Sequence, residues 1–339
     1  MGRKRSSRIA GLGRYVPRRV LTNADLERMV DTTDEWITVR TGIKERRVAA
    51  PEEATSDLAL EAAREALERA GLEASDLDLI LVGTASPDMI FPATACLVQE
   101  RLGAKRAGAV DISAACSSFV YALSMAHAHV VSGLAERVLV VGADTLSRIT
   151  NWKDRATCVL FGDSAGAAVV VPSDGERGLL SFWLGADGGG SSLLSLPAGG
   201  SRLPASYETV ERAQHFIHMN GPEVFKFASR IIPRAIEEAC QRAGLSVDEV
   251  DVFIPHQANV RIIQAAAERL GQPLEKFYVN VHKYGNTSSA SVPVALYEAV
   301  DEGRVRPGDV VVLVAFGGGL TWASCALRWG QAMGGLADV

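Results

Sequence analysis

Cys116, His256 and Asn286 are candidate chemical side chains in this 339-residue sequence, and they lie far apart along the chain. Cys116 stands in Asp111-Ile112-Ser113-Ala114-Ala115-Cys116-Ser117-Ser118-Phe119. The apolar residues 107–110 lead in and predict a short buried strand ending near Asp111. Phe119, Val120, Ala122, Leu123, Ala126 and Val130 then recur with a helical period. A cysteine at a strand-to-helix turn meets the first-turn amides and the positive helix end. Both favour the thiolate, so this setting predicts a lowered thiol pKa and a nucleophile. Small neighbours leave room for a substrate backbone or a thioester to approach closely. A buried structural cysteine is the alternative that this stretch alone leaves open.

His256 lies in Pro255-His256-Gln257-Ala258-Asn259-Val260-Arg261, directly after the apolar run Val252-Phe253-Ile254. Polar residues in that place sit at the carboxyl edge of a sheet, where ligands bind. The imidazole can serve as a base, as a donor to an oxyanion, or as a core side chain. Asn286 lies in Tyr284-Gly285-Asn286-Thr287-Ser288-Ser289-Ala290, where its amide can enter a cavity or close a turn or cap. Phe316-Gly317-Gly318-Gly319-Leu320-Thr321-Trp322 is a glycine bend between apolar strands. It can present amides to an oxyanion or cradle a phosphate, but it lacks the Lys-Ser/Thr tail of a nucleotide loop. Residues 159–163 are not a dinucleotide fingerprint, the cysteines and histidines lack zinc-like spacing, and no carboxylates are paired for glycosyl transfer.

These residues need a layered scaffold, and the sequence predicts one. Residues 8–20 read as a strand and turn; Thr22 or Asn23 caps a helix, and another short helix begins at Asp34. Residues 40–47 form a strongly positive turn near Trp36, read either as a solvated loop or as a phosphate-contacting edge beside an exposed ring. Residues 55–70 form an amphipathic helix with Leu58, Ala62, Ala63 and Leu67 on one face, and Gly71 ends it. Strands are expected over 77–84 and 138–143, a helix over 95–102, and a strand, glycine bend and strand over 159–171. Residues 185–209 read as a long, partly ordered loop.

The pattern then repeats. Ala63-Arg64-Glu65-Ala66-Leu67-Glu68-Arg69-Ala70-Gly71-Leu72 returns 173 residues later as Ile236-Glu237-Glu238-Ala239-Cys240-Gln241-Arg242-Ala243-Gly244-Leu245, each followed by an apolar strand. Phe161-Gly162 is echoed by Phe316-Gly317. A large internal repeat implies a pseudo-twofold arrangement of two units, 1–180 and 181–339, with the boundary near 175–185. Helices alternating with solid apolar strands indicate an α/β class with mixed sheets around buried helices. The almost uncharged helix after Cys116 is expected to be buried on all sides.

Composition narrows the function classes. A net charge of −5 argues against a general nucleic-acid binder. Cys96, Cys116, Cys158, Cys240 and Cys325 are odd in number and lack CxxC spacing, which fits a reducing cytoplasm. The basic residues 1–8 lack the apolar follow-on of a secretory signal, and their formal match to a myristoylation pattern is read as chance. No apolar run is long enough to span a membrane.

Taken together, these motifs resemble the 3-oxoacyl-[acyl-carrier-protein] synthase III family, the initiating condensing enzymes of dissociated (type II) fatty-acid synthesis, within the thiolase-like superfamily. The resemblance runs from about Ile9 to Trp329. It rests on Asp34-Glu35-Trp36-Ile37 with Arg40-Thr41-Gly42-Ile43, on Ala114-Ala115-Cys116-Ser117, on His256-Gln257-Ala258-Asn259, on Tyr284-Gly285-Asn286-Thr287-Ser288 and on the glycine bend. It implies a thiolase-like fold, no metal or redox cofactor, and a cytoplasmic homodimer acting on acyl-CoA and malonyl-ACP. Cys116 would take the acyl group. His256 and Asn286 would bind the malonyl thioester carbonyl and stabilise the enolate left by decarboxylation. The amides of Cys116 and Gly318 would form the oxyanion hole. Trp36 would stack on the adenine of CoA, with Arg40 near its phosphates and Asn259 at the pantetheine tunnel. Phe91 would come from the partner subunit to shape the acyl pocket, and Lys226 and Arg261 would join a basic patch for the acidic carrier protein.

Ser118 and Ser164 stand where the family often has glycine, and Glu268-Arg269 where some members are fully basic. These departures bear on pocket shape and carrier affinity. A degradative thiolase would need a late second cysteine as base; Cys325 lies in a strand-like run that reads as core. A starter-unit enzyme of a polyketide or other specialised pathway is the nearest alternative, and a non-catalytic carrier-binding module is a more distant one.

Overall fold

The computed structural model describes residues 6–173 and 177–330; the basic residues 1–5 lie outside them. Apolar runs bounded by glycine and polar turns form the strands, in two mixed sheets. β1 (Ser6–Tyr15), β2 (Leu79–Gly83), β3 (Gly108–Ile112), β4 (Val138–Thr145) and β5 (Asp163–Ser173) form one sheet in the order β1-β5-β4-β2-β3. β6 (Gly178–Ala186), β7 (Val252–Pro255), β8 (Val310–Gly317) and β9 (Thr321–Arg328) form the other in the order β7-β8-β9-β6. In each sheet a parallel pair (β2 with β4, β7 with β8) adjoins an antiparallel one (β4 with β5, β8 with β9).

Helices fill three layers. α1 (Asp34–Thr41) is capped by the Thr33 side chain and closed by Gly42 at φ 78°. α2 (Thr55–Ala70) ends at Gly71, φ 66°, as its sequence predicts, and packs Leu58, Ala62 and Ala66 on Ile80, Val141 and Val169. α3 (Ser118–Ser132) follows Cys116. α4 (Gly221–Ala243) and α5 (Val260–Leu270) cover the second sheet through Ile232, Ile236 and Ile263 against Phe253 and Val312. The short α6 (Val281–Tyr284) precedes α7 (Ser291–Asp301). α3 and α7 lie between the sheets, where Phe119, Leu123, Val292 and Leu296 meet Val140 of β4 and Leu313 of β8. Strand alternation sends Val140 to this inner layer and Val141 to the outer one.

The 173-residue offset recurs in the architecture: β2 starts at 79 and β7 at 252, and α3 starts at 118 and α7 at 291. Two glycines permit the close approach of the central turns. A Cβ on Gly142 would lie 2.4 Å from the Ser289 carbonyl oxygen, and one on Gly317 would lie 2.6 Å from the Cys116 nitrogen.

Several expectations change. β3 is an edge strand with Val110 44% exposed, not a buried one, because no strand among the described residues pairs on its far side. α3 is enclosed over Ser118, Phe119 and Val120 but exposes Met125 and Ala128, so it is not buried on all sides; the helix buried from Ser291 through Ala299 is α7. Val159 and Leu160 are a turn after the short helix Arg155–Cys158, Phe161 makes an isolated parallel bridge to Asn286, and the strand starts only at Asp163. The positive segment 40–47 is neither a simple loop nor uniformly solvated. Glu45–Val48 pairs as a strand with Arg19–Thr22, and Arg46 is fully buried, donating to Leu21 O, Asn23 Oδ1 and Val159 O. The stretch 185–209 holds the end of β6, a 3-10 turn over Gly188–Leu193, and Leu194–Ser195 paired with His218–Met219. Cys325 is fully buried in β9, as expected of a core residue.

Candidate active site

Cys116 sits in a 3-10 turn, Ala115–Ser117, that runs directly into α3. Ala115 adopts φ 47°, which turns the chain sharply off β3. The turn is stapled from both sides. The Ala114 N–H donates to Ser118 Oγ at 2.8 Å, and the hydroxyls of Ser117 and Thr321 donate to the Ala114 carbonyl at 2.7 and 2.9 Å. Ser118 therefore ties the entry of the turn to the start of α3, and the absence of a side chain on Gly83, where a Cβ would lie 2.7 Å from Ser118 Cβ, makes room for it. The other departure, Ser164, is buried with its hydroxyl unpartnered, and nothing in the structure explains it.

The thiol does not behave as the turn alone predicts. Cys116 is 7% exposed, and burial pushes its pKa up to about 12, against the lowering effect of the facing Ser288 hydroxyl and its own backbone amide. The expectation of a lowered pKa counted the helix end and the amides but not the lost hydration of the thiolate, which dominates at this depth.

His256 follows β7 and keeps its strand register, donating its N–H to Val314 O at 2.7 Å. Its ring meets Phe316 edge-on, with centroids 5.3 Å apart, and Nδ1 pairs with Ser291 Oγ at the start of α7. The Gln257 N–H also points to that oxygen, at 3.4 Å. A serine hydroxyl donating to Nδ1 would leave the ring proton on Nε2. Burial pushes the imidazole pKa down to about 3, so the ring is neutral at physiological pH.

Asn286 is fixed through its backbone. Its N–H donates to Leu160 O at 2.8 Å, and its carbonyl accepts from the Gly162 N–H at 3.0 Å. Its Oδ1 accepts the Ser288 N–H at 2.9 Å, which leaves the Nδ2 hydrogens as the free donors of the amide.

Cys116, His256 and Asn286 line one cavity of about 460 Å3, together with Trp36, Arg40, Asn259 and Arg261. Residues 36, 116, 256 and 286 thus converge although they are remote in sequence. Arg40 lies 4.7 Å and Arg155 4.9 Å from the Trp36 ring centroid. Asn259 ties two elements together: Nδ2 donates to Arg40 O at 3.0 Å, and Oδ1 accepts the Arg261 N–H at 2.9 Å. Arg261 lies over the Phe225 ring at 5.6 Å.

Other expected residues lie elsewhere. Gly317, rather than Gly318, lines the cavity; Gly318 lies behind it, facing Leu194 O and Ala115. Lys226 is on the exposed side of α4, 3.5 Å from Glu223, in a separate depression shared with Arg230 and Arg269. Phe91 is 82% exposed and does not line this chain's cavity. Sequence reasoning missed Arg155, Ser291 and Thr321. Of these only Ser291 left a signal, since it repeats Ser118 at the 173-residue offset.

Matches to known proteins agree with this geometry. A family model described as 3-oxoacyl-[acyl-carrier-protein (ACP)] synthase III matches residues 110–188, and its C-terminal counterpart matches residues 240–329. The chain is 59% identical over 323 residues to the beta-ketoacyl-[acyl-carrier-protein] synthase III of Symbiobacterium thermophilum, covering 95% of this chain and 98% of that protein. It is similar to the crystal structure of 3-oxoacyl-[acyl-carrier-protein] synthase III from Aquifex aeolicus VF5, at 50% identity and a TM-score of 0.88 over 95% of this chain and 100% of that one. It also matches the priming beta-ketosynthase of the R1128 polyketide pathway, at 38% identity and a TM-score of 0.90 over 98% of both chains. On the near-complete extent of these matches, the chain belongs to the 3-oxoacyl-[acyl-carrier-protein] synthase III family.

Proposed function

We infer that the protein is the initiating condensing enzyme of type II fatty-acid synthesis, joining an acyl group from acyl-CoA to malonyl-ACP. One observation carries the chemistry: a cysteine, a neutral imidazole and an asparagine amide line a single cavity that also reaches Trp36 and Arg40. The 59% and 50% identities to synthases III, against 38% to a polyketide priming enzyme, favour fatty-acid synthesis over a specialised pathway.

In the first half-reaction the Cys116 sulfur attacks the acyl-CoA carbonyl, CoA leaves as its thiol, and the thiol proton of Cys116 goes with it. The product is still a thioester, so its reactivity is conserved. The amides of Cys116 and of Gly318, the residue directly after the cavity-lining Gly317, stabilise the oxyanion. Trp36 stacks on the adenine, with Arg40 and Arg155 beside it, and Asn259 borders the pantetheine path. In the second half-reaction the bond from the malonyl α-carbon to its carboxylate breaks and CO2 departs. The electron pair passes to the enolate oxygen, which accepts N–H donors from His256 Nε2 and Asn286 Nδ2. A neutral imidazole suits this role, since an acidic imidazolium would protonate the carbanion. The α-carbon then attacks the acyl-cysteine carbonyl; 3-oxoacyl-ACP leaves, and the Cys116 thiolate takes up one proton.

Lys226 and Arg261 serve as contacts for the acidic carrier. The protein acts as a homodimer. The outer edge of β3 has no partner strand among the described residues, and Met89, Ile90, Phe91 and Val110 are large exposed apolar residues on it or in the segment before residue 94. The Thr94 and Ala95 N–H groups donate to the Asp111 carboxylate, tying that segment to β3. Phe91 would enter the partner's acyl pocket. The duplicated units are 1–180 and 181–339, as the recurring offset supports. Five free cysteines fit a reducing cytoplasm. No helix among the described residues is long and apolar enough to cross a membrane.

The decisive test is mass spectrometry after mixing with acetyl-CoA, followed by malonyl-ACP. An acetyl group appearing on Cys116 and then discharged as 3-oxoacyl-ACP is the expected result; a chain that gains no acyl mass is a binding module. Arg261→Glu is expected to weaken carrier-dependent condensation while sparing acyl transfer from CoA.

A further inference from the structure

Glu298 is a carboxylate that the mechanism above does not use, buried to 5% exposure in α7, which is buried from Ser291 through Ala299. It gathers donors from two separate segments, residues 278–284 and β1. Tyr284 Oη donates to it at 2.6 Å and Asn280 Nδ2 at 3.0 Å, Arg14 of β1 makes a close ion pair with it, and Tyr278 Oη lies at 3.4 Å. Lys283 stands 3.5 Å away and is shared with Glu302. Burial alone would raise the Glu298 pKa, but the Tyr284 and Asn280 hydrogen bonds and the Arg14 and Lys283 charges outweigh it, so the group is an anion.

Asn280 and Tyr284 bracket α6, the short helix that leads through Gly285 to Asn286. The other side of α6 is held by Gln257, whose Oε1 accepts the N–H groups of Asn280 and Val281 at 3.0 and 3.2 Å. Gln257 is the residue after His256. Seven residues before Glu298, two helical turns away on the same face of α7, Ser291 holds His256 Nδ1. One helix therefore grips the histidine at its start and the asparagine's segment near its end.

We propose that Glu298 is a positioning residue for the decarboxylation step, acting through α6 to set the separation of the His256 and Asn286 donors. The proposal rests on the functional reading above. Acyl transfer to Cys116 does not use that donor pair, so the carboxylate matters for one half-reaction and not the other. A merely structural ion pair would not separate the two.

The experiment measures both half-reactions, acetyl transfer from acetyl-CoA to Cys116 and CO2 release from malonyl-ACP, together with thermal midpoints, for wild type, Glu298→Gln and Tyr284→Phe. In Glu298→Gln the kcat of decarboxylation is expected to fall about tenfold or more, with KM for malonyl-ACP and the rate of acetyl transfer within about threefold of wild type. Tyr284→Phe, which deletes a single hydroxyl, is expected to shift the same step in the same direction by less, and it serves should the Gln variant fail to fold. Equal losses in both half-reactions that track the midpoint, or no loss in either, overturn the proposal. A wild-type protein that releases no CO2 overturns the functional reading itself.

Discussion

Two turns 173 residues apart, Ala115–Ser117 and Ser288–Ala290, pack against each other between the sheets, yet only the first brings its central residue, Cys116, onto the cavity. Their backbones match. Ala115 and Ser288 adopt φ 47° and 49°, and each turn feeds a helix of the central layer, α3 or α7. Their central residues do not match. The Cys116 sulfur lines the cavity, whereas Ser289 Oγ lies 2.7 Å from both the Gly83 carbonyl and the Asp144 carboxylate, and its N–H donates to the same carboxylate at 3.0 Å. The strand ends differ in the same sense. His256 follows β7, while the position 173 residues earlier is Gly83, which offers only a carbonyl. The pair teaches that backbone geometry alone does not make an active turn. A reactive sulfur also needs a cavity on one side and donors supplied by the other sheet.

The largest test of that contrast exchanges the central residues. Cys116→Ala is expected to abolish acyl-enzyme formation, and adding Ser289→Cys to it is expected to restore none, read by intact mass after incubation with acetyl-CoA. An acylated residue 289 would break the comparison. Next come the donors found only beside Cys116. His256→Ala and Asn286→Ala are each expected to slow CO2 release from malonyl-ACP about a hundredfold, roughly 3 kcal/mol, with acetyl transfer largely intact. Wild-type rates of CO2 release in both variants would remove these residues from the step.

A smaller effect appears in stability against pH. The His256 pKa falls from 6.5 to about 3 on folding, so the unfolded chain binds the extra proton. The associated stability is complete above pH 6.5 and is lost as pH falls toward 3, by about 1.4 kcal/mol per pH unit within that window. Chemical denaturation at pH 7 and pH 5 is expected to show a shallower loss for His256→Asn than for wild type; parallel losses would mean that the ring is protonated in the fold. The smallest effect belongs to the silent turn. Ser289→Ala is expected to lower stability by about 1–2 kcal/mol, measured as a denaturation midpoint, with condensation close to wild type.

Much of the local structure was legible because short-range rules govern it. Gly71 ends α2 where the amphipathic period stops, and Thr22 caps the helix Asn23–Glu27. The polar residues after β7 proved to face a cavity, as residues at the carboxyl edge of a strand do. Arg46 was misread because its acceptors, Leu21 O, Asn23 Oδ1 and Val159 O, come from three separate segments. Arg155 was missed because nothing local marks it; only the fold brings it over Trp36. β3 was misjudged because an apolar run at the edge of a sheet reads like one at its centre until the strand order is known.

The sequence by itself determined the α/β class, the repeat, the residue types for thioester chemistry and the glycines that end helices, because these depend on the identity and spacing of near neighbours. The tertiary structure decided what long-range burial controls. It made His256 neutral through loss of water, set Ser291 against its Nδ1, raised the Cys116 thiol rather than lowering it, placed Gly317 on the cavity lining, and opened one of two matching turns on that cavity. Hydration is lost, and hydrogen-bond partners are gained, only when segments remote in the chain close over a group, and no local pattern encodes which segments those are.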